Sequence, residues 1–277
     1  MNLINESDHQ TVIPRSLSMG IVFWAVLGAL AACAPAETEN TSGAMGAAQV
    51  DARSTSQAIA GGPQLSPELP VNPVAASTVH HENTVVAAGN GLYLVVWREI
   101  AGPENGDILA IRVRASDGAW LDPNPIRVGT GNQSQWEPAV AFDGANFLVV
   151  WTDAANIPVI MGARVRASDG AVLDTPALYI SRADMGPYQL PQFTPAVAFD
   201  GTNYLVTWYG YFYVNGPVFS GVQGIRVRPS DGTCIESTSF TIARGATSSR
   251  VAYADGKYLV AWEASGMAGA TRVSAAG

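Results

Sequence analysis

Short apolar runs alternate with glycine-containing turns along the chain from about residue 79 onward. Each run is about five to eight residues long and rich in Val, Ile, Leu and aromatic side chains, the usual length and composition of a strand. Asp-Gly or Asn-Gly pairs separate many of the runs and suit tight hairpins. The pattern therefore predicts antiparallel β-strands rather than helices.

One of these runs recurs four times. The copies are "NGLYLVVW" at 90–97, "GANFLVVW" at 144–151, "GTNYLVTW" at 201–208 and "DGKYLVAW" at 255–262, and their Trp residues follow one another at intervals of 54, 57 and 54 residues. A small-residue run precedes each copy, and two further apolar runs follow the first three. Four strands per unit, called A to D here, in repeats of about 50 residues are typical of a β-propeller.

The repeated run is apolar on both of its faces. In strand B of unit 1, Tyr93, Val95 and Trp97 share one face, while Leu94 and Val96 share the other. A sheet that is buried on both sides fits blades stacked against their neighbours, and not a single sandwich layer with one wet face. The alternation thus supports an all-β propeller.

The number of units gives the number of blades. The units span about 79–130, 131–183, 184–244 and 245–277, and the fourth unit stops after strand C. The segment "LPVNPVAAST" at 69–78 aligns with strand D of unit 1, "LDPNPIRVGT" at 121–130. We predict a four-bladed propeller over 69–277, closed by this N-terminal strand so that no sheet edge is left at the seam. The alternative is a truncated part of a larger propeller.

The N-terminus carries a targeting pattern. Residues 19–32, "MGIVFWAVLGALAA", are uncharged and too short to span a bilayer comfortably, so we predict a signal peptide over 1–32. Residues 33–68 are poor in large apolar side chains, which predicts a flexible linker.

The end of that apolar segment, "LAAC" at 30–33, resembles the lipobox of bacterial lipoproteins. The resemblance implies that Cys33 carries a lipid and becomes the mature N-terminus. Ala34, rather than Asp, follows the Cys, which implies an outer-membrane or cell-surface lipoprotein whose partner is the membrane. Cleavage at "APA", 34–36, is the alternative, and would give a soluble periplasmic or secreted protein.

Charge and cysteine content exclude several classes of function. The chain has 15 Lys and Arg against 23 Asp and Glu, a net charge of −8, so nucleic acid is not an expected partner. If Cys33 is lipidated, Cys234 has no disulfide partner, and we interpret it as a small buried hydrophobe. His80 and His81 have no Cys or carboxylate at metal-ligand spacing, so we expect neither a metal nor another cofactor.

The repeat also resembles known propeller families. "PAVAFDGANFLVVWTD" followed by "ARVRASDGAVLD" is similar to blades of repeat-bearing bacterial propeller lipoproteins, and more distantly to blades of sialidase-type propellers. "ASDGAW" at 115–120 is similar to a degenerate Asp-box turn. The resemblance implies the scaffold alone, because the six blades, the arginine cluster and the Tyr-Glu pair of a sialidase cannot be placed in this sequence.

The polar residues that recur with the repeat have structural interpretations. The Asp residues before Gly are expected to cap turn amides, the paired arginines of strand C to bind carboxylates of neighbouring blades, and the repeated Trp residues to lie in the core. The Asp residues are Asp117, Asp143, Asp169, Asp200, Asp231 and Asp255, and the arginine pairs are Arg112/Arg114, Arg164/Arg166 and Arg226/Arg228.

A functional surface is predicted where the repeat varies. The A–B and C–D turns lie on one rim and are monotonous, whereas the B–C and D–A loops lie on the other rim and differ from unit to unit. Exposed aromatic residues in these loops suit the binding of an envelope protein or a carbohydrate, although they could instead pack the loops against one another. The residues are Trp136, Tyr188, Phe193, Tyr209, Tyr211, Phe212, Tyr213 and Phe219.

No set of acid, base and nucleophile stands out in the sequence. The main expectation is therefore a non-catalytic, envelope-anchored binding or scaffolding head that is not an enzyme and has no catalytic residue. The alternatives are a propeller hydrolase acting on glycans and a truncated, non-functional fragment. A hydrolase requires two converging carboxylates, and the candidates on the variable rim are Glu99, Glu104, Asp107, Glu137 and Asp153.

Overall fold

The computed structural model describes residues 79–100, 106–131, 133–154, 156–181, 190–213 and 217–275. The predicted signal peptide, Cys33, the linker and the closing strand 69–78 lie outside these residues. Among the described residues no helix is long and apolar enough to cross a membrane. The regular elements in these ranges are fifteen strands: β1 His80–Gly89, β2 Leu92–Ile100, β3 Gly106–Arg114, β4 Ile126–Gly129, β5 Gln135–Phe142, β6 Asn146–Asp153, β7 Val159–Arg166, β8 Leu178–Tyr179, β9 Gln192–Phe199, β10 Tyr204–Tyr213, β11 Val218–Val227, β12 Phe240–Arg244, β13 Thr247–Ala254, β14 Lys257–Ala264 and β15 Met267–Ser274.

The strands form four antiparallel sheets in a ring. Blade 1 is β1 to β4, blade 2 is β5 to β8, blade 3 is β9 to β12, and blade 4 is β13 to β15, each sheet following chain order. Strands β1, β5, β9 and β13 are the innermost and surround a common axial cavity. The prediction of an all-β, four-bladed propeller is confirmed. The last blade has three described strands, in agreement with a fourth unit that stops after strand C.

The repeated phrase forms the interfaces between blades. Leu94 and Val96 of blade 1 pack with Phe147, Val149 and Trp151 of blade 2. The same two faces meet between blades 2 and 3 and between blades 3 and 4. Trp97, Trp151 and Trp208 are buried, as expected for packing residues, whereas Trp262 is half-buried.

Five of the six recurring Asp residues cap turns, as the sequence indicated, whereas Asp255 itself adopts a left-handed conformation with a φ of 48° and accepts no such bond among the described residues. Oδ1 of Asp143 accepts hydrogen bonds from the N–H groups of Ala145 and Asn146 at 2.7 and 2.6 Å, and Asp200 accepts the equivalent pair in blade 3. In the C–D turn of blade 1 the N–H of Ala119 donates to Asp117, and this bond, together with that of Arg114, lowers the pKa of the Asp117 carboxyl. Such a carboxylate is charged at neutral pH and is not a proton donor for catalysis.

The strand C arginines bind differently from the prediction. The guanidinium of Arg112 pairs with Asp122, in the C–D connection of its own blade, with Nη2 to Oδ1 at 2.6 Å. Its Nη1 donates to the carbonyl oxygen of Ala167 in blade 2 at 3.0 Å. The expectation of a carboxylate partner in the neighbouring blade was wrong, because the neighbour supplies a backbone carbonyl instead. The equivalent clamps are Arg164 with Asp174 and Pro229, and Arg226 with Glu236 and Ala275.

A second bond between blades also recurs. The hydroxyl of Tyr204 donates to the carbonyl oxygen of Asn146 at 3.1 Å, and that of Tyr258 donates to Asn203 at 2.8 Å. Burial raises the pKa of Tyr204 far above its usual range, so the phenol remains a donor. Each of these bonds joins a blade to the preceding one.

The seam between blades 4 and 1 is packed less closely than the other three interfaces. Leu259 is 49% exposed, whereas its equivalents Leu94, Leu148 and Leu205 are fully buried. Tyr93, the equivalent of Tyr204, is 41% exposed. Among the described residues, neither Tyr93 nor the exposed Arg272, the equivalent of Arg226, forms the bond that joins the other blades.

This difference predicts unequal effects of the same substitution. Leu205→Ala leaves a cavity in a closed interface and is expected to lower the free energy of unfolding by about 2–5 kcal/mol. Leu259→Ala removes a half-exposed side chain and should cost less than about 1 kcal/mol. Urea denaturation followed by tryptophan fluorescence measures both. Equal losses would show that the seam is as closely packed as the other interfaces.

Candidate functional site in the axial cavity

Each innermost strand is interrupted opposite the repeated Trp. The pairing register shifts between Glu82 and Val85 in β1 and between Trp136 and Ala139 in β5, and similar shifts occur in β9 and β13. Two residues of the inner strand thus face one residue of the next strand, which is a β-bulge. Bulges re-aim side chains and often adjoin functional sites.

One residue in each bulge adopts a left-handed backbone conformation. The φ angles are 53° at Asn83, 53° at Glu137, 51° at Thr194 and 43° at Ser248. A positive φ is uncommon for any residue but glycine, and it is a clear outlier for the β-branched Thr194. Strain of this kind, repeated at one level in four blades, is a feature of functional sites.

The four bulge residues line a cavity of about 570 Å³ on the propeller axis. Its lining combines small apolar residues of the inner strands with polar side chains. The bulges lie near the start of each inner strand, so the cavity is on the side of the D–A and B–C loops. The polar side chains that line it are Asn83, Thr84, Glu137, Thr194, Ser248 and Arg250.

Glu137 is the one carboxylate among the described residues that line this cavity. Its Oε2 accepts a hydrogen bond from the N–H of Thr194 in blade 3 at 2.9 Å and another from the hydroxyl of the buried Thr152 at 3.3 Å. Among the described residues Oε1 has no protein donor. One oxygen is therefore held in place across two blades, and the other can meet a ligand.

The other carboxylates proposed from the sequence lie elsewhere. Glu99 and Asp107 are opposite each other on β2 and β3, which sets their Cβ atoms about 5 Å apart. Glu99 lies 3.8 Å from His81, and Asp107 pairs with Arg127. Neither lines the axial cavity.

The remaining two candidates are Asp153 and Glu104. Asp153 accepts a hydrogen bond from the side-chain amide of Gln135 at 3.2 Å and does not line the cavity. Glu104 lies outside the described residues. Of the four described carboxylates, Glu137 alone lines the axial cavity.

Part of the predicted aromatic set adjoins the cavity. Trp136 directly precedes Glu137 and donates its indole N–H to the hydroxyl of Ser134 at 3.0 Å. Phe193 directly precedes Thr194 and stacks on Tyr209, with ring centroids 6.3 Å apart. Tyr209 contacts Tyr211 with centroids 5.9 Å apart. Phe193, Tyr209 and Tyr211 form what we call the aromatic ladder.

The rest of the predicted aromatic set is arranged differently. Phe212 is only 3% exposed and points to the opposite face of β10, where it contacts Phe219 with centroids 6.4 Å apart. The guanidinium of Arg244 lies over the Phe219 ring at 4.8 Å. Phe212 therefore packs the loops, as the alternative interpretation expected, because alternation along β10 separates it from Tyr211. Tyr213 is half-buried, and Tyr188 lies outside the described residues. Binding by the aromatic ladder stays a prediction.

Sequence reasoning missed most of the cavity. Asn83, Thr194, Ser248 and Arg250 were not proposed, and Glu137 was proposed only as one rim carboxylate among five. The sequence does carry a pointer, since a proline follows the bulge residue in "EPAVAF" and "TPAVAF". Proline inside a strand marks a bulge or an edge.

The other candidate groups have local partners. His81 contacts the ring of Trp97 edge-on as well as approaching Glu99. Cys234 is half-buried, and its thiol donates to the carbonyl oxygen of Ile180 at 3.5 Å. Across the described ranges, no three His, Cys, Asp or Glu side chains are grouped as in a metal site.

Among known proteins, the chain is similar to solved structures only. No protein-family model and no curated protein matches the chain. Solved structures do match. An exo-1,5-α-L-arabinanase from a bovine ruminal metagenomic library is similar with a TM-score of 0.43 and 14% identity over 73% of this chain and 75% of that one. A family 117 glycoside hydrolase from Zobellia galactanivorans gives a TM-score of 0.49 and 6% identity, over 71% and 67%. The GH43 endo-arabinanase from Bacillus licheniformis gives 0.41 and 13%, over 70% and 73%.

These likenesses show a β-propeller. The matched proteins are glycoside hydrolases, against the expectation that this chain is not an enzyme, but at these TM-scores and identities the likeness reaches the fold alone, and their activities belong to those proteins. The main expectation of a non-catalytic head rested on the lack of a recognisable catalytic group. The carboxylate of Glu137, which lies in a strained bulge and lines the axial cavity, is a candidate for such a group.

Proposed function

We propose that this chain is a glycan-acting hydrolase whose reaction takes place in the axial cavity. The observation that carries the proposal is the carboxylate of Glu137, which lines the cavity from a left-handed bulge and is held at Oε2 by donors from two blades. A group fixed in this way is oriented before substrate binds, which is what general acid–base catalysis requires.

We assign Glu137 the role of general acid. Glycoside hydrolysis needs a proton on the leaving oxygen as the sugar develops an oxocarbenium-like charge, and a carboxyl group can supply it. The reaction also needs a nucleophile or a base on the other side of the sugar. Among the described residues no second carboxylate lines the cavity, so we assign this role to an N-acetyl group of the substrate, whose carbonyl oxygen attacks the anomeric carbon as the bond to the protonated leaving oxygen breaks, and water then hydrolyses the cyclic intermediate.

The remaining lining residues suit a hydroxyl-rich ligand. Asn83 and Ser248 present an amide and a hydroxyl group from two different blades around one axis. Such side chains both donate and accept hydrogen bonds, as sugar hydroxyls do. The aromatic ladder beside the cavity offers flat apolar faces to sugar rings that extend beyond it.

The direct test is an activity screen with the purified chain. Neutral, acidic and N-acetylated polysaccharides are incubated with the protein, and new reducing ends are measured. We expect reducing ends from at least one class of polymer. Neither cleavage nor binding of any class would overturn the proposal.

The aromatic ladder leads to a separate kinetic prediction. Tyr211→Ala removes a half-exposed ring at the end of the ladder and leaves the cavity intact. We expect KM for the cleaved glycan to rise by a factor of about 2–10, since an aromatic contact contributes about 0.5–1.5 kcal/mol, while kcat is unchanged. Phe212→Leu, on the buried face of the same strand, is the control and should leave KM unchanged. A Tyr211→Ala variant with wild-type KM would exclude the ladder from binding.

A further inference from the structure

Arg250 differs in size and charge from the equivalent residues of the other three inner strands. It lines the axial cavity at the position that Val85 occupies in β1, Ala139 in β5 and Ala196 in β9. Three blades thus place a small apolar side chain here, and the fourth places a guanidinium. Local departures from a repeated pattern are expected where function requires them.

The guanidinium of Arg250 is not neutralised by the described protein. Its Nη1 donates to the carbonyl oxygen of Ser249 in its own strand at 2.8 Å, and no described carboxylate pairs with it. Most other arginines in these ranges pair with a carboxylate, and Arg244 lies over a phenylalanine ring. Arg250 is therefore a cation in the cavity with donors left for a ligand.

A guanidinium recognises a particular ligand chemistry. Its planar set of N–H donors matches the two oxygens of a carboxylate or a sulfate, and such charge-assisted pairs are stronger than neutral hydrogen bonds. A neutral sugar offers it only hydroxyl oxygens. The net charge of −8 on the chain does not favour anions in general, so an anion at this site would be held by local contacts.

We propose that the axial cavity selects an acidic glycan, with Arg250 binding the carboxylate or sulfate of a sugar ring while Glu137 acts on the glycosidic bond. This inference rests on the proposed hydrolase function. It adds the substrate class, since a glycan-acting hydrolase with the same acid could equally take a neutral chain.

The test compares charged glycans with their neutralised counterparts. N-acetylated polymers that contain uronate are paired with their methyl esters, and N-acetylated sulfated polymers with their desulfated forms, so that the two sources of negative charge are separated. We expect at least a tenfold higher kcat/KM for the charged member of one pair. In Arg250→Gln this preference should fall by a factor of about 10–100, because a hydrogen bond to a charged group contributes about 1.5–3 kcal/mol. The loss should appear as a higher KM for the charged glycan, with kcat unchanged.

Two further variants make the test specific. Arg250→Lys keeps the charge without the planar donors and should retain part of the preference, whereas Arg244→Gln, outside the cavity, should retain all of it. If the charged and neutral members of every pair are cleaved equally well by wild type, or if the preference for the charged member is unchanged in Arg250→Gln, the inference is overturned and the hydrolase proposal stands. If no glycan is cleaved or bound, the hydrolase proposal fails and the inference with it.

Discussion

Glu137→Gln is expected to lower the rate of glycan hydrolysis by a factor of about 10² to 10⁴, the usual contribution of a general acid. Gln has the shape of Glu and keeps an oxygen that accepts from the Thr194 N–H and the Thr152 hydroxyl. It has no proton to deliver to a leaving oxygen at neutral pH. Because the loss arises in the transition state, kcat should fall while KM stays close to the wild-type value.

The matched control for this variant is Glu99→Gln. Glu99 lies beside His81 and does not line the axial cavity, so its neutralisation should leave the rate unchanged. Thermal unfolding of the two variants checks that each remains folded. If Glu137→Gln keeps the wild-type rate, then Glu137 has a structural role as a bridge between blades 2 and 3, and the catalytic assignment is wrong.

The fold was predictable from the sequence because each blade of a propeller repeats the same packing arrangement. Trp151 and Trp208 take the same place in blades 2 and 3, and both faces of these strands are apolar because each is covered by a neighbouring blade. A sequence shows that two-sided pattern directly. The turn residues were predictable for the same reason, since an Asp before Gly accepts hydrogen bonds from amides two or three residues further along the chain.

The site was not predictable in the same way, because it depends on breaks in the pairing rather than on the pattern. Strand alternation would place Glu137 according to its neighbours in β5, but the bulge turns the backbone to a φ of 53° and changes the direction of its side chain. Only the pairing with β6 shows which residues are displaced. The hydrophobic pattern alone predicts that Glu137 is a loop residue on the variable rim.

The hydrogen-bond partners of the strand C arginines were also not predictable from the sequence. The sequence correctly indicated that Arg112, Arg164 and Arg226 are equivalent, but it placed their carboxylate partners in the next blade. Asp122 instead lies ten residues after Arg112, because the chain turns back across strand C before it enters strand D. The neighbouring blade contributes a backbone carbonyl oxygen. Because every residue has one, the sequence does not indicate which residue supplies it.

The functional expectation failed for a related reason. It sought a site in the variable loops and treated the inner strands as scaffold, since their residues are small and repeated. In a propeller the inner strands converge on the axis, and a few polar replacements among small residues are enough to make a site. Glu137 and Arg250 are such replacements, each flanked by the same Val-Ala pattern that the other blades carry.

Removing one of the arginine clamps is expected to have the largest effect on stability. Arg112 is buried, and its guanidinium binds Asp122 through Nε and Nη2 while Nη1 donates to Ala167 in the next blade. Arg112→Ala would leave the buried carboxylate of Asp122 without its counter-ion and would open a contact between blades 1 and 2. Breaking a buried pair in this way typically costs about 3–5 kcal/mol, so we expect a loss of that size in the free energy of unfolding, measured by urea denaturation.

Arg114→Ala is the matched control for Arg112→Ala. Arg114 lies two residues further along β3 and pairs with Asp117 at 2.7 Å, but both side chains are about half exposed and the pair lies within one turn. An exposed pair of this kind contributes about 0–1 kcal/mol, and solvent exchange replaces the lost bond. The two variants delete the same side chain from the same strand, so the difference between them isolates burial and the bond to Ala167. If both cost less than about 1 kcal/mol, the arginine clamps do not hold the blades together, and the apolar faces around Leu94 and Phe147 must account for the stability of the ring.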